Sequence, residues 1–163
     1  MPKSSLSDKV EVIDYESKYR EDFYRLNCQW LEKYFHIEPI DEQVLSQPEK
    51  YILSPGGHIF LAKIGENIVG TAALIVADDE RLELSKMSVD ESFQGYGIGE
   101  KLARVAINWY KDSDFKLFYL ESNRILKPAI KLYEKLGFEE RPCPFTESHY
   151  TRADIYMEFQ ELL

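Results

Sequence analysis

Between Gln94 and Gly99 the chain sets a glycine at every second position, Gly95, Gly97 and Gly99, and a helical pattern begins as that run ends. Without a Cβ, such a backbone turns tightly and leaves its amides unshielded. Beyond it Ile98, Leu102, Val105, Ala106 and Trp109 recur at helical spacing. The free N–H groups of a helix start, with the positive end of its dipole, make a site for phosphate or pyrophosphate. Two common phosphate motifs are excluded by spacing. A dinucleotide fingerprint counted from Gly95 requires glycine where Glu100 stands, and the Gly-Lys-Ser/Thr ending of a P-loop is absent.

The run resembles the acetyl-CoA signature of the GNAT superfamily of N-acetyltransferases, [Gln/Arg]-x-x-Gly-x-[Gly/Ala], met here by Gln94, Gly97 and Gly99. Its flanks are similar too: Lys86-Met87-Ser88-Val89 looks like the strand before the family's loop, and Leu132-Tyr133-Glu134-Lys135-Leu136-Gly137-Phe138 like its later helix end. The resemblance spans residues 57 to 140, with the N-terminal part similar in outline. It implies acetyl-CoA as cosubstrate, with its pyrophosphate on Gln94, Gly95, Tyr96, Gly97, Ile98, Gly99 and Glu100, and its pantetheine on the main chain of Met87, Ser88 and Val89.

The same resemblance offers two catalytic residues. Tyr133 stands where family members often carry a tyrosine that protonates the leaving thiolate, a step a phenol can perform; the other reading is a core tyrosine whose hydroxyl finds some partner. Glu83, near the start of the central strand, is placed to draw a proton from an ammonium substrate. Strand glutamates also serve as cross-strand charge partners. Asn123 falls where the family often has an asparagine touching CoA, but Arg124-Ile125-Leu126-Lys127-Pro128 stretches the usual step from it to the tyrosine and leaves its role open.

These residues need elements to hold them. Lys9–Asp14 alternates as a first strand, and Ser17 can cap a helix over Lys18–Phe35 with Phe23, Leu26, Trp30 and Tyr34 on one face. Asp41 and Glu42 open a short helical piece that stops around Pro48. Ser54-Pro55-Gly56-Gly57 is a turn, and His58–Ile64 and Ile68–Ala77 form a hairpin about Gly65-Glu66-Asn67. Leu82–Val89, exiting through Asp90-Glu91-Ser92, is the strand before the glycine turn. Phe115–Glu121 reads as a strand covered on both faces. Pro128 suits a first helical position, Ala129–Leu136 a helix ended by Gly137, and Ala153–Phe159 a last strand. The order is that of a mixed α/β sheet with helices on both faces. The resemblance adds that the sheet is mostly antiparallel and twisted, splayed between Leu82–Val89 and Phe115–Glu121 where acyl-CoA lies.

At 163 residues one domain, residues 1 to 163, is expected. Hydrophobic residues make up 44% and charged residues 30%, an ordinary globular composition. No apolar run reaches bilayer-spanning length and MPKSSLSDK holds no signal-peptide core, so the cytoplasm is the expected location, with no membrane partner. A net charge of −9 disfavours nucleic acid and leans toward a cationic partner such as an amine, although acidic surfaces also serve solubility. Cys28 and Cys143 read as free thiols. His36, His58 and His149 show no metal-ligand spacing, so no metal is expected. Trp30, Tyr34 and Phe35 with His149-Tyr150 are candidates to wall an acceptor pocket, as the family builds it; Trp30 reads equally as core.

The expected activity is transfer of an acetyl group from acetyl-CoA directly to a primary amine in a ternary complex, with no covalent enzyme intermediate. Two alternatives stay open: a non-catalytic acyl-CoA-binding module, and a protein or peptide amine in place of a small-molecule acceptor. Oligomeric state is likewise open, a homodimer included.

Overall fold

A computed structural model describes residues 6–145 and 151–160. Seven strands form one sheet: β1 (Glu11–Asp14), β2 (His58–Ile64), β3 (Asn67–Val76), β4 (Arg81–Val89), β5 (Leu117–Ser122), β6 (Phe138–Glu140) and β7 (Ile155–Phe159), in the order β1-β2-β3-β4-β5-β7-β6. The pairings are antiparallel except β4 with β5, which is parallel. Four α-helices lie wholly among the described residues: α1 (Arg20–Tyr34), α2 (Pro39–Ser46), α3 (Ile98–Lys111) and α4 (Lys127–Leu136).

Strand alternation explains why the helices take both faces. Along β2, Phe60 and Ala62 join one apolar cluster while Ile59 and Leu61 join another. Successive side chains of a strand point to opposite faces, so a strand apolar at every position must be covered twice. The first cluster takes Ile98, Leu102, Ala103 and Ala106 of α3 and Tyr133 and Leu136 of α4; the second takes Phe23, Leu26 and Leu31 of α1 and Leu45 of α2. The expected mixed α/β fold is therefore present. No described helix is long and apolar enough to cross a membrane.

Three expectations need correction. Ser17 does not cap the first helix: Ser17–Tyr19 is a separate 3-10 turn, Tyr19 precedes α1 without a side-chain cap, and the Ser17 hydroxyl donates to Glu49 at 3.2 Å. The buried stripe of α1 runs through Phe23, Leu26, Asn27 and Leu31, which leaves Trp30 half-buried and Tyr34 exposed at its edge. A seventh strand, Phe138–Glu140, was not expected; three residues give no readable alternation, and β7 supplies its pairing.

Candidate active site

Parallel pairing between β4 and β5 covers Arg81–Leu117, Leu82–Phe118 and Glu83–Tyr119, then ends. From Leu84 to Val89 the edge of β4 that faces β5 is therefore unpaired, and a cleft of about 490 Å³ opens there. Its lining includes Glu83 to Val89 from one strand, Leu120 to Asn123 from the other, and Tyr133 from α4. Main-chain groups of a strand edge are obligatory hydrogen-bonding partners, so this stretch presents a row of donors and acceptors to whatever enters.

A bulge fixes how that edge is presented. Thr71 pairs with Ser88 and Ala73 with Ser85, so Lys86 and Met87 together oppose Ala72. Lys86 takes φ +52°, a left-handed conformation that costs a non-glycine residue about 1–3 kcal/mol and needs surroundings that enforce it. Those surroundings are polar. The Thr71 hydroxyl donates to the Lys86 carbonyl at 2.8 Å and accepts from Asn27 Nδ2 at 3.1 Å. Lys86 Nζ meets the fully buried Asp41 at 3.0 Å. Arg152 grips the same carboxylate with both Nη atoms, at 2.8 and 2.9 Å, and reaches Glu38 at 2.7 Å. Burial raises the Asp41 pKa, but the Arg152 hydrogen bonds, the Lys86 charge and the Glu38 N–H outweigh it, and the net shift is downward. Glu38 and Asp41 also form the capping box of α2. One network thus ties α2, the bulge and the segment before β7. In the sequence Asp41 reads only as a helix start and Lys86 only as part of the strand before the glycine turn, while Glu38 and Arg152 carry no expected role; the Glu38–Asp41 spacing is the local signal of their pairing.

At the far end of the cleft lies the glycine turn. Gly95 and Gly97 take φ +86° and +80°, and Gly97 is the residue before α3, so the chain enters the helix through a conformation L side chains rarely adopt. The first N–H groups of α3 are left without intrahelical acceptors. Glu100 in that first turn is neutralised by Arg104 at 3.0 Å and Lys135 at 2.8 Å, which hold its carboxyl below its ordinary range. Its charge therefore does little to repel an anion.

Of the expected cosubstrate residues, Met87, Ser88, Val89, Gln94, Gly95, Gly97, Ile98, Gly99 and Asn123 line the cleft; Tyr96 and Glu100 do not. Ser88 faces away, its hydroxyl donating to the Leu26 carbonyl at 2.9 Å. Asn123 spends both ends of its amide locally, on the Arg152 carbonyl at 2.7 Å and the Ile125 N–H at 2.9 Å.

The two expected catalytic side chains lie on opposite faces of the sheet. Tyr133 belongs to the cluster under α3 and α4, whereas Glu83 alternates with Leu82 and Leu84 and so faces α1. The gap between β4 and β5 lets both reach the same cleft. Burial pushes the Tyr133 phenol up to about 12, so it stays protonated at neutral pH. Glu83 is 5% exposed and rises to about 7, chiefly by burial; Lys86 and Arg152 pull it down and Glu121 pushes it up. Trp30, Tyr34 and Phe35 line the α1 side, while His149 and Tyr150 lie outside the described residues.

The model of the acetyltransferase (GNAT) family matches residues 16–138. The chain belongs to the GNAT acetyltransferase family. Human N-acetyltransferase 8B is 30% identical over 113 residues, 66% of this chain and 50% of that protein. This GNAT chain spans about half or less of the length of the curated relatives it matches. A GNAT-family acetyltransferase of Staphylococcus aureus MU50 superposes with a TM-score of 0.83 at 26% identity, over 92% of this chain and 98% of that one. A family member from Elizabethkingia anophelis, solved with acetyl-CoA bound, shares the fold with a TM-score of 0.69 at 22% identity, over 94% and 99% of the two chains.

Proposed function

We propose that this GNAT chain moves an acetyl group from acetyl-CoA directly to a primary amine within a ternary complex. The observation that carries the reading is the end of β4–β5 pairing at Glu83 and Tyr119, which opens a strand edge leading to the amides of the α3 N-terminus. A pantetheine arm needs strand-like partners and a pyrophosphate needs clustered N–H donors; both stand along one cleft. The bound acetyl-CoA of the Elizabethkingia anophelis protein supports the choice of ligand.

In this reading Met87, Ser88 and Val89 hold the pantetheine by main chain, and Gln94, Gly95, Gly97, Ile98 and Gly99 cradle the pyrophosphate. Tyr96 and Glu100 contribute through the backbone of the same turn. Glu83 takes a proton from the incoming ammonium and leaves a neutral amine able to attack the thioester carbonyl. N–H groups on the free edge of β4 stabilise the oxyanion that develops. As the carbon–sulfur bond breaks, Tyr133 gives its proton to the departing thiolate; the proton that the attacking nitrogen sheds on becoming an amide restores the phenol, and the proton taken up by Glu83 leaves to water. Holding amine and thioester together accounts for much of the rate, because effective molarity replaces a chance encounter.

Thiol release from acetyl-CoA in the presence of a panel of amines tests the proposal. Amine-dependent release is expected; CoA binding with no release on any amine, peptides included, favours a binding module instead.

A further inference from the structure

Among the described residues the carboxylate and cationic side chains lining the cleft are Glu83, Glu121, Lys86 and Arg152. Their states are unequal. Both cations are already matched by Asp41, and Arg152 by Glu38 as well. Neither carboxylate accepts a hydrogen bond from a described residue, and Glu121 Oε2 is buried without a partner. Glu83 is itself 5% exposed and opens on the cleft. Buried polar atoms are as a rule hydrogen-bonded, and one left unmatched in a binding cleft points to a ligand that matches it.

Placement narrows what that ligand is. Glu121 lies two residues beyond Tyr119, the partner of Glu83, so its side chain is on the same face and displaced along the strand by roughly 6–7 Å. The rings of Trp30, Tyr34 and Phe35, with centroids 5.6 and 5.7 Å from Trp30, line the same cleft, and aromatic faces attract ammonium groups. A substrate carboxylate would meet two carboxyl groups that lack hydrogen-bond donors among the described residues, and two cations already paired with Asp41.

We infer that the acceptor is an aliphatic diamine or polyamine, with one amino group at Glu83 for transfer and a second, still protonated, held by Glu121. The inference rests on the transfer reading above. A short methylene chain spans the offset between the two side chains, and a protonated amine supplies three donors to atoms that have none.

The test compares 1,4-diaminobutane, n-butylamine and 4-aminobutanoate, acceptors of equal carbon count, by thiol release from acetyl-CoA. A charge-assisted hydrogen bond to Glu121 raises kcat/KM for the diamine over the monoamine by roughly 10- to 100-fold. The amino acid falls below both. Glu121→Gln shrinks the diamine-to-monoamine ratio by at least about tenfold. Equal use of diamine and monoamine by the parent, preference for 4-aminobutanoate, or an unaltered ratio in Glu121→Gln overturns the inference while leaving acetyl transfer intact. If none of the three releases thiol, the transfer reading fails for these amines, and calorimetry on the CoA complex reads the subsite alone: tighter binding of diamine than monoamine supports it, and equal binding overturns it.

Discussion

Glu83 and Tyr119 form the last pair of the parallel ladder between β4 and β5. Both are buried, at 5% and 0% exposure, and the Tyr119 hydroxyl is buried with no hydrogen-bond partner among the described residues. The point where the sheet stops pairing is thus the point where an ionisable carboxyl is driven out of water. Burial sets its proton affinity, and the cleft beyond it gives that proton somewhere to go.

Glu83→Gln is expected to remove the acidic limb of the pH profile of kcat/KM for the amine, a limb that in the parent turns near the carboxyl's value of about 7. The same shift predicts a stability effect. A carboxyl whose value is raised by folding destabilises the native state progressively as pH climbs from its unfolded value of 4.5 toward about 7. The melting temperature of Glu83→Gln, compared with the parent, should therefore rise over that window and level off above it. A difference independent of pH between 4 and 8, an interval bracketing those values, counts against a buried, neutral Glu83.

Tyr133→Phe should lower kcat by roughly 10²- to 10⁴-fold, as loss of a general acid does. The acetyl-CoA dissociation constant should barely move. Stability should change little, because the hydroxyl makes no hydrogen bond among the described residues. Turnover at the parent rate sinks the general-acid role.

Gly97→Val places a β-branched residue at φ +80° and should cost about 1–2 kcal/mol or more in denaturant unfolding. It should also weaken CoA binding measured by calorimetry. Gly99→Ala is the control: its Cβ would come no nearer than 3.9 Å to Val89, so it should fold as well as the parent or better by about 0.5–1 kcal/mol. Unchanged CoA affinity in a folded Gly97→Val protein removes the pyrophosphate from this turn.

Asp41→Ala strips a carboxylate from the buried Lys86 and the half-buried Arg152. Breaking such a set typically costs about 3–5 kcal/mol. Because the carboxyl's value is lowered on folding, its contribution is present above the unfolded value of 3.8 and is lost as pH falls through the folded one. The gap between parent and variant, read from urea midpoints, should close in acid. A gap of under about 1 kcal/mol at neutral pH means the network holds nothing in place.

Some of this was legible in one dimension. The glycine turn and α3 are local, and both appear where expected; of the expected stripe Ile98, Leu102 and Ala106 are buried, while Val105 and Trp109 lie at its edge and Ala103 and Ile107 complete the buried face. The end of α4 at Gly137, in a left-handed conformation at φ +109°, follows from the same local rule. Ser17 misled because its hydroxyl had a competing acceptor in Glu49, far along the chain. No local pattern encodes that competition.

The sequence by itself determined the alternation of strands and helices, the two apolar faces, and the glycine turn at the start of α3, because each depends on residues within a few positions of one another. Tertiary structure alone decided where β4 and β5 cease to pair, which carboxylates lose their water, and which cations are already matched. Arg152 meets Asp41 from 111 residues away. A charge reads the same in the sequence whether it is buried or solvated, paired or not; its proton affinity and its preference for a ligand come from neighbours that folding brings to it.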